Sequence, residues 1–134
     1  MPQGRGLGVD HDRGGDDQGS QNHGKGQAVA GAVQGLGRGL EVEDPAAIVS
    51  PTFTLANEYR GLVDIFHLDL YRLESPREFA EAGLDDYLAR PGLTLVEWPE
   101  KMPPGFWPAG CLTLSLAFKG AGRFLRVISR APWC

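Results

Sequence analysis

An α/β domain with antiparallel strands at its edge is what this sequence predicts, and three stretches predict it. LTLVEW (93–98) is a short continuous apolar run, the pattern of a central strand covered on both faces. SPREFAEAGLDDYLA (75–89) opens like a helix, with Ser75 as N-cap, Pro76 at the first position and Glu78 three residues after the cap. CLTLSLAFKGAGRFLRVIS (111–129) reads as a hairpin turning at Lys119-Gly120-Ala121-Gly122.

The elements follow in order. Residues 1–40 hold 12 of the 19 glycines, four basic and four acidic residues, and no aromatic residue, so the net charge of −4 comes from the remainder. Residues 1–18 have almost nothing to bury and are expected to be disordered or, through an upstream frame error, not native sequence. Residues 19–134 are expected to form one domain. In QAVAGAVQGLGRGL (27–40), Val29, Val33, Leu36 and Leu40 make one stripe on a helix, which four glycines weaken by up to about 1 kcal/mol each. PTFTLANEYRG (51–61) and LVDIFHLDLY (62–71) read as an antiparallel strand pair turning at Arg60-Gly61. In 75–89, Phe79, Leu84 and Leu88 supply the buried side, and Gly83 divides the segment into two short helices.

At 134 residues with net charge −4, the chain offers no basic face for nucleic acid. No apolar run approaches the roughly 18 residues that span a bilayer, so a cytosolic protein without a membrane partner is the expectation. The two cysteines, Cys111 and Cys134, lack the spacing of a zinc site or a disulfide framework, and Cys111 is expected to be a small buried hydrophobe.

His67, Asp69 and Arg72 stand in or beside an apolar strand, where ionised groups are rarely buried without a partner. Three readings compete. Asp69 and Arg72 satisfy each other across a turn. His67 and Asp69, on one strand face, begin a metal site that nothing nearby completes. Or Asp69 and Glu97, each near the end of a strand, sit where open α/β sheets bind ligands, and share one divalent ion as nucleotide hydrolases do. The third reading needs a phosphate cradle followed by a helix. GSQNHGK (19–25) fits G-x-x-x-x-G-K and precedes the striped helix, but the Mg²⁺ hydroxyl and the preceding apolar strand are missing.

SPTFT (50–54), HLDLYRL (67–73) and VEWPEK (96–101), in this order and spacing, resemble the TsaE (YjeE) family. The likeness covers roughly residues 35–129. It implies a P-loop NTPase-like sheet with helices on both faces and added antiparallel strands, binding ATP and Mg²⁺. It also implies an ATPase needed to make threonylcarbamoyladenosine next to the tRNA anticodon, cycling the complex of the transferase subunit TsaD and its paralogue TsaB. Contact with tRNA would come only through that complex. By the same likeness Glu97 and Asp69 are the catalytic and metal-associated acids. Gly19, Gly24, Lys25, Thr52, Thr54 and Trp98 lie at the nucleotide, Ser50 and Pro51 belong to a switch-like loop, and Tyr71, Arg72 and Glu100 are mainly structural or solvated. The family's G-D-L-G-A-G-K-T-T is here GSQNHGKGQ, with Gly26 where the Mg²⁺ hydroxyl is expected. The non-enzymatic alternative is therefore a scaffold of the same family that binds partners without hydrolysis. A small kinase would need a phosphoacceptor pocket and an arginine-bearing lid, and no sequence signal marks either.

Overall fold

The computed structural model of the protein describes residues 5–11, 18–51 and 53–128. Six strands form one sheet in the order β2-β3-β4-β1-β5-β6. They are β1 (Arg5–His11), β2 (Ala56–Tyr59), β3 (Ile65–Asp69), β4 (Leu93–Glu97), β5 (Leu112–Lys119) and β6 (Gly122–Ile128). The four central strands, β3, β4, β1 and β5, run parallel, while β2 and β6 add antiparallel edges on opposite sides. The expected α/β sheet with antiparallel additions is present, and it has two such edges.

Side chains alternate across the strands, so one sheet builds two cores. Helix α1 (Gln18–Gly39) brings Val29 and Val33 onto Ile65 and Leu95, with Val42 and Ile48 closing the cluster. On the opposite face Leu68 and Val96 meet Phe79, Leu84, Met102 and Trp107 around helices α2 (Pro76–Glu81) and α3 (Asp85–Ala89). Helices therefore cover both faces. Phe79, Phe106 and Trp107 pack edge to face at 5.0–5.9 Å, and the Trp107 indole N–H donates to the Pro99 carbonyl.

The helix signals near residue 75 hold in detail. Ser75 Oγ accepts from Glu78 N, Glu78 Oε2 accepts from Glu74 N, and Gly83, at φ +71°, separates α2 from α3. Cys111 packs half-buried against the second core, but its sulfur is disulfide-bonded, not the free thiol of the sequence reading.

Three differences from the sequence expectations concern the amino-terminal third and the loop before β2. Residues 5–11, expected to be disordered, form the central strand β1; Leu7 and Val9 alternate with Gly6 and Gly8 at strand period, a signal that the surrounding glycine content hides. Residues 19–25, expected as an open loop, are helical. Once Val29 and Val33 anchor a turn, each further residue adds one hydrogen bond, and the helix propagates back through the glycines. Residues 53–55, expected to be strand, form a turn with Leu55 at φ +65°, and pairing begins only at Ala56, while Thr52 lies outside the described residues. Among the described residues no helix is long and apolar enough to cross a membrane.

At the edge, Arg90 clasps Glu58 with two parallel bonds of 2.8 and 2.9 Å and lies over the Phe66 ring at 4.2 Å. Hydrogen bonding from Arg90 holds the Glu58 carboxyl below its ordinary value of 4.5. A carboxyl lowered in the folded state stabilises above its unfolded pKa and loses that contribution as pH falls through the folded one. The coupling in a Glu58/Arg90 double-mutant cycle is therefore expected near pH 7 and should vanish under acid, measured by urea unfolding at the two conditions. Because the pair is largely solvated the effect is small.

Candidate functional site at the carboxyl ends of the central strands

Strand β3 ends in Asp69 and β4 ends in Glu97, and these two are cross-strand partners. Being parallel neighbours in register, they present their side chains on the same face, the α1 face, together with His67 and Leu95. Val9 of β1 flanks Glu97 on the other side. The carboxyl ends of β3, β4 and β1 thus converge, and β1 leads into α1 through residues 12–17, outside the described residues. This is the crevice where α/β sheets take ligands.

Both acids are nearly closed off from solvent, at 4% exposure for Asp69 and 3% for Glu97. Each has a fixed set of partners. His67, fully buried, places Nε2 2.7 Å from Glu97 Oε1. Asp69 Oδ1 accepts from Tyr71 N at 2.9 Å, which pins the carboxylate to the backbone just past the strand. Between the acids stands Ser50, whose Oγ lies 3.0 Å from Glu97 Oε1 and 3.4 Å from Asp69 Oδ2.

Local sequence explains why Ser50 can reach them. Ile48 is fully buried beneath α1, and its carbonyl accepts from Gln34 Nε2. At Val49 both backbone groups bond the Tyr59 hydroxyl, and Asn57 Nδ2 adds a bond to the Val49 carbonyl. Buried Pro51 then receives Leu55 N on its carbonyl. The loop is held before the serine by side chains of β2 and after it by the backbone bond from Leu55.

Immediately after Glu97, Trp98 adopts φ 60°, ψ 47°, the left-handed region that a bulky side chain rarely enters. This turn stops β4 at the acid and sets the indole against Tyr71, ring centroids 5.1 Å apart. The Lys101 ammonium lies 5.7 Å from the Tyr71 ring, and the Arg72 guanidinium stands over Phe53, which is 89% exposed.

Among the described residues no group of three or more His, Cys, Asp and Glu side chains could cage a metal. What the site offers is two carboxylates and a hydroxyl. Such an all-oxygen, partial set suits Mg²⁺, which keeps several waters and is commonly held by one or two carboxylates plus phosphates.

The family model described as threonylcarbamoyl adenosine biosynthesis protein TsaE matches residues 19–124. The chain belongs to the TsaE family. The tRNA threonylcarbamoyladenosine biosynthesis protein TsaE of a Nostoc species is 44% identical over 95 residues, covering 67% of this chain and 56% of that one. Its counterpart in Haemophilus influenzae is 33% identical over 109 residues, covering 80% and 64%. This TsaE-family chain therefore matches between 31% and 64% of the length of these curated relatives. The crystal structure of Bacillus subtilis YdiB superposes with a TM-score of 0.54 at 24% identity, covering 93% of this chain and 66% of that one, a likeness of fold.

Of the positions that the TsaE likeness singled out, Asp69 and Glu97 come together and Ser50 joins them. Trp98 abuts Glu97 in sequence and is part-buried against the second core. Thr54 is exposed and bonds Asn57 Oδ1 at 2.9 Å, not the acids. Thr52 lies outside the described residues. Gly19, Gly24 and Lys25 fall in the first turns of α1; only their backbone is described. The bond from His67 to Glu97 was not anticipated. Strand period had placed His67 beside Asp69, but which strand would lie next to it is not written in a single sequence.

Proposed function

We propose that this chain is the ATP-binding and ATP-hydrolysing component of the machinery that makes threonylcarbamoyladenosine in tRNA, next to the anticodon. In that role it cycles the transferase subunit TsaD and its paralogue TsaB, touching tRNA only through them. The observation that carries the reading is the buried pair Asp69 and Glu97, partners at the ends of two parallel strands and bridged by Ser50 Oγ. Family membership gives that pair its chemistry.

Mg²⁺ would be held by Asp69 and Glu97. When bound, it supplies charge neutralisation to the phosphates of ATP. The residues of the chain do the rest by positioning: Glu97 orients water at the γ-phosphate, and the closed strand ends keep other water away. Where the family loop has a hydroxyl this chain has Gly26, and Ser50 is the hydroxyl that the structure sets between the two acids. Were Mg²⁺ held by Asp69 and Glu97, the Ser50 hydroxyl between them would offer it a third oxygen. Ser50 Oγ stands 3.0 and 3.4 Å from the two carboxylates. Ser50→Ala is expected to weaken Mn²⁺ binding, followed by electron paramagnetic resonance titration, about 10-fold; unchanged affinity would remove the serine from the metal's shell.

Gly26 and the helical backbone at 19–25 favour a second reading, a family scaffold that binds partners without hydrolysis. Calorimetric titration with Mg·ATP, paired with phosphate release, separates the two. Binding tighter than about millimolar with turnover that depends on Glu97 supports the ATPase. Weaker binding, with Glu97→Ala changing nothing, supports the scaffold.

A further inference from the structure

We infer that His67 is a positioning residue whose Nε2–H fixes the Glu97 carboxylate for its work at the γ-phosphate. The inference rests on the hydrolytic reading above and deepens it by assigning a role to a buried side chain that reading does not use.

The imidazole is fully buried, and Nε2 lies 2.7 Å from Glu97 Oε1. Its Nδ1 has no hydrogen-bond partner among the described residues. The nearest polar neighbour in the ladder, Asn57, is spent elsewhere: Nδ2 goes to the Val49 carbonyl and the Tyr59 hydroxyl, and Oδ1 takes the Thr54 hydroxyl. Leu95 faces His67 from the other side.

This asymmetry selects the tautomer. A buried N–H without an acceptor costs more than a buried lone pair without a donor. The proton therefore belongs on Nε2, facing the carboxylate, and Nδ1 keeps its lone pair. The ring acts as a one-directional donor aimed at Glu97.

As core filler alone the imidazole is a poor choice at this position. It lies between Ile65 and Asp69 on its strand face and beside Leu95, where an aliphatic side chain would fill space without stranding a nitrogen. What histidine adds here is a fixed bond to the acid. Outer partners of this kind orient carboxylates that work on metals, and losing one typically costs 10–100-fold in activity or metal affinity. Ser50 contacts the same oxygen, but from a loop; His67 is built into the strand beside Glu97.

The test compares the full chain with His67→Leu and His67→Gln, the glutamine amide preserving an N–H donor at similar reach. Phosphate release under Mg·ATP titration should show kcat reduced about 10–100-fold in His67→Leu with KM changed less than about threefold, and most of kcat restored in His67→Gln. Equal losses in both variants, or a change confined to KM, would overturn the role.

Crystal structures of the same three proteins make the test independent of turnover. The Glu97 carboxylate should leave its position in His67→Leu and keep it in His67→Gln. If the native chain proves inactive, a displaced Glu97 still upholds the positioning while the hydrolytic reading falls. If Glu97 stays put in His67→Leu, the inference fails whatever the activity. Should His67→Leu not fold, His67→Gln decides alone: retained carboxylate position and kcat support the role, and loss of either refutes it.

Discussion

Glu97→Gln is expected to lower ATP turnover on the order of 10²–10³-fold while leaving the fold intact. The substitution preserves shape, and the glutamine carbonyl still accepts the proton on His67 Nε2. It removes the charge that would hold a divalent cation and orient water. Glu97→Ala should lose turnover to the same extent and stability as well. It strands a fully buried imidazole whose other nitrogen already has no partner among the described residues, a cost of about 1–3 kcal/mol. Phosphate release and urea unfolding on the two variants separate chemistry from folding. Full turnover in Glu97→Gln would dismiss the carboxylate from the mechanism.

Gly92→Ala is expected to cost about 4 kcal/mol, because it adds both strain and a clash. Gly92 has φ +153°, a backbone conformation that side-chain-bearing residues rarely adopt. A Cβ there would stand 2.7 Å from the Asp64 carbonyl oxygen and 2.7 Å from the Phe66 ring. Neither neighbour can yield: Leu93 N donates to that carbonyl, and the ring is 1% exposed beneath Arg90. The turn into β4 depends on this close approach, so a shift here would move the strand that ends in Glu97. Thermal unfolding should show the loss directly, and a change below about 1 kcal/mol would mean that the backbone relaxes freely.

Much of this could be read ahead of the coordinates. LTLVE declared itself as a central strand with an acid at its end, Ser75 and Gly83 marked the start and division of the helical segment, and the glycines at 120 and 122 marked the hairpin. These signals are local, set by period, caps and turn chemistry. The acids were legible as a pair because both close apolar strands. What stayed hidden depended on partners far away in sequence. β1 is a strand because two parallel neighbours supply its ladder, not because GRGLGVDH prefers to be extended. The His67 bond needs β3 beside β4 in one particular register, and the bond from Leu55 N to the Pro51 carbonyl is one that a run of Thr and Phe does not advertise.

The way the acids and the serine are mounted decides which of them can respond to a ligand. Asp69 and Glu97 are anchored in adjoining rails of a central sheet, whereas Ser50 hangs from a tether fastened at its ends by Tyr59, Asn57 and Leu55. Two of the three oxygens are thus placed by the sheet and the third by a loop bonded back to it. The loop that sets the serine's position also carries Phe53 to the outside.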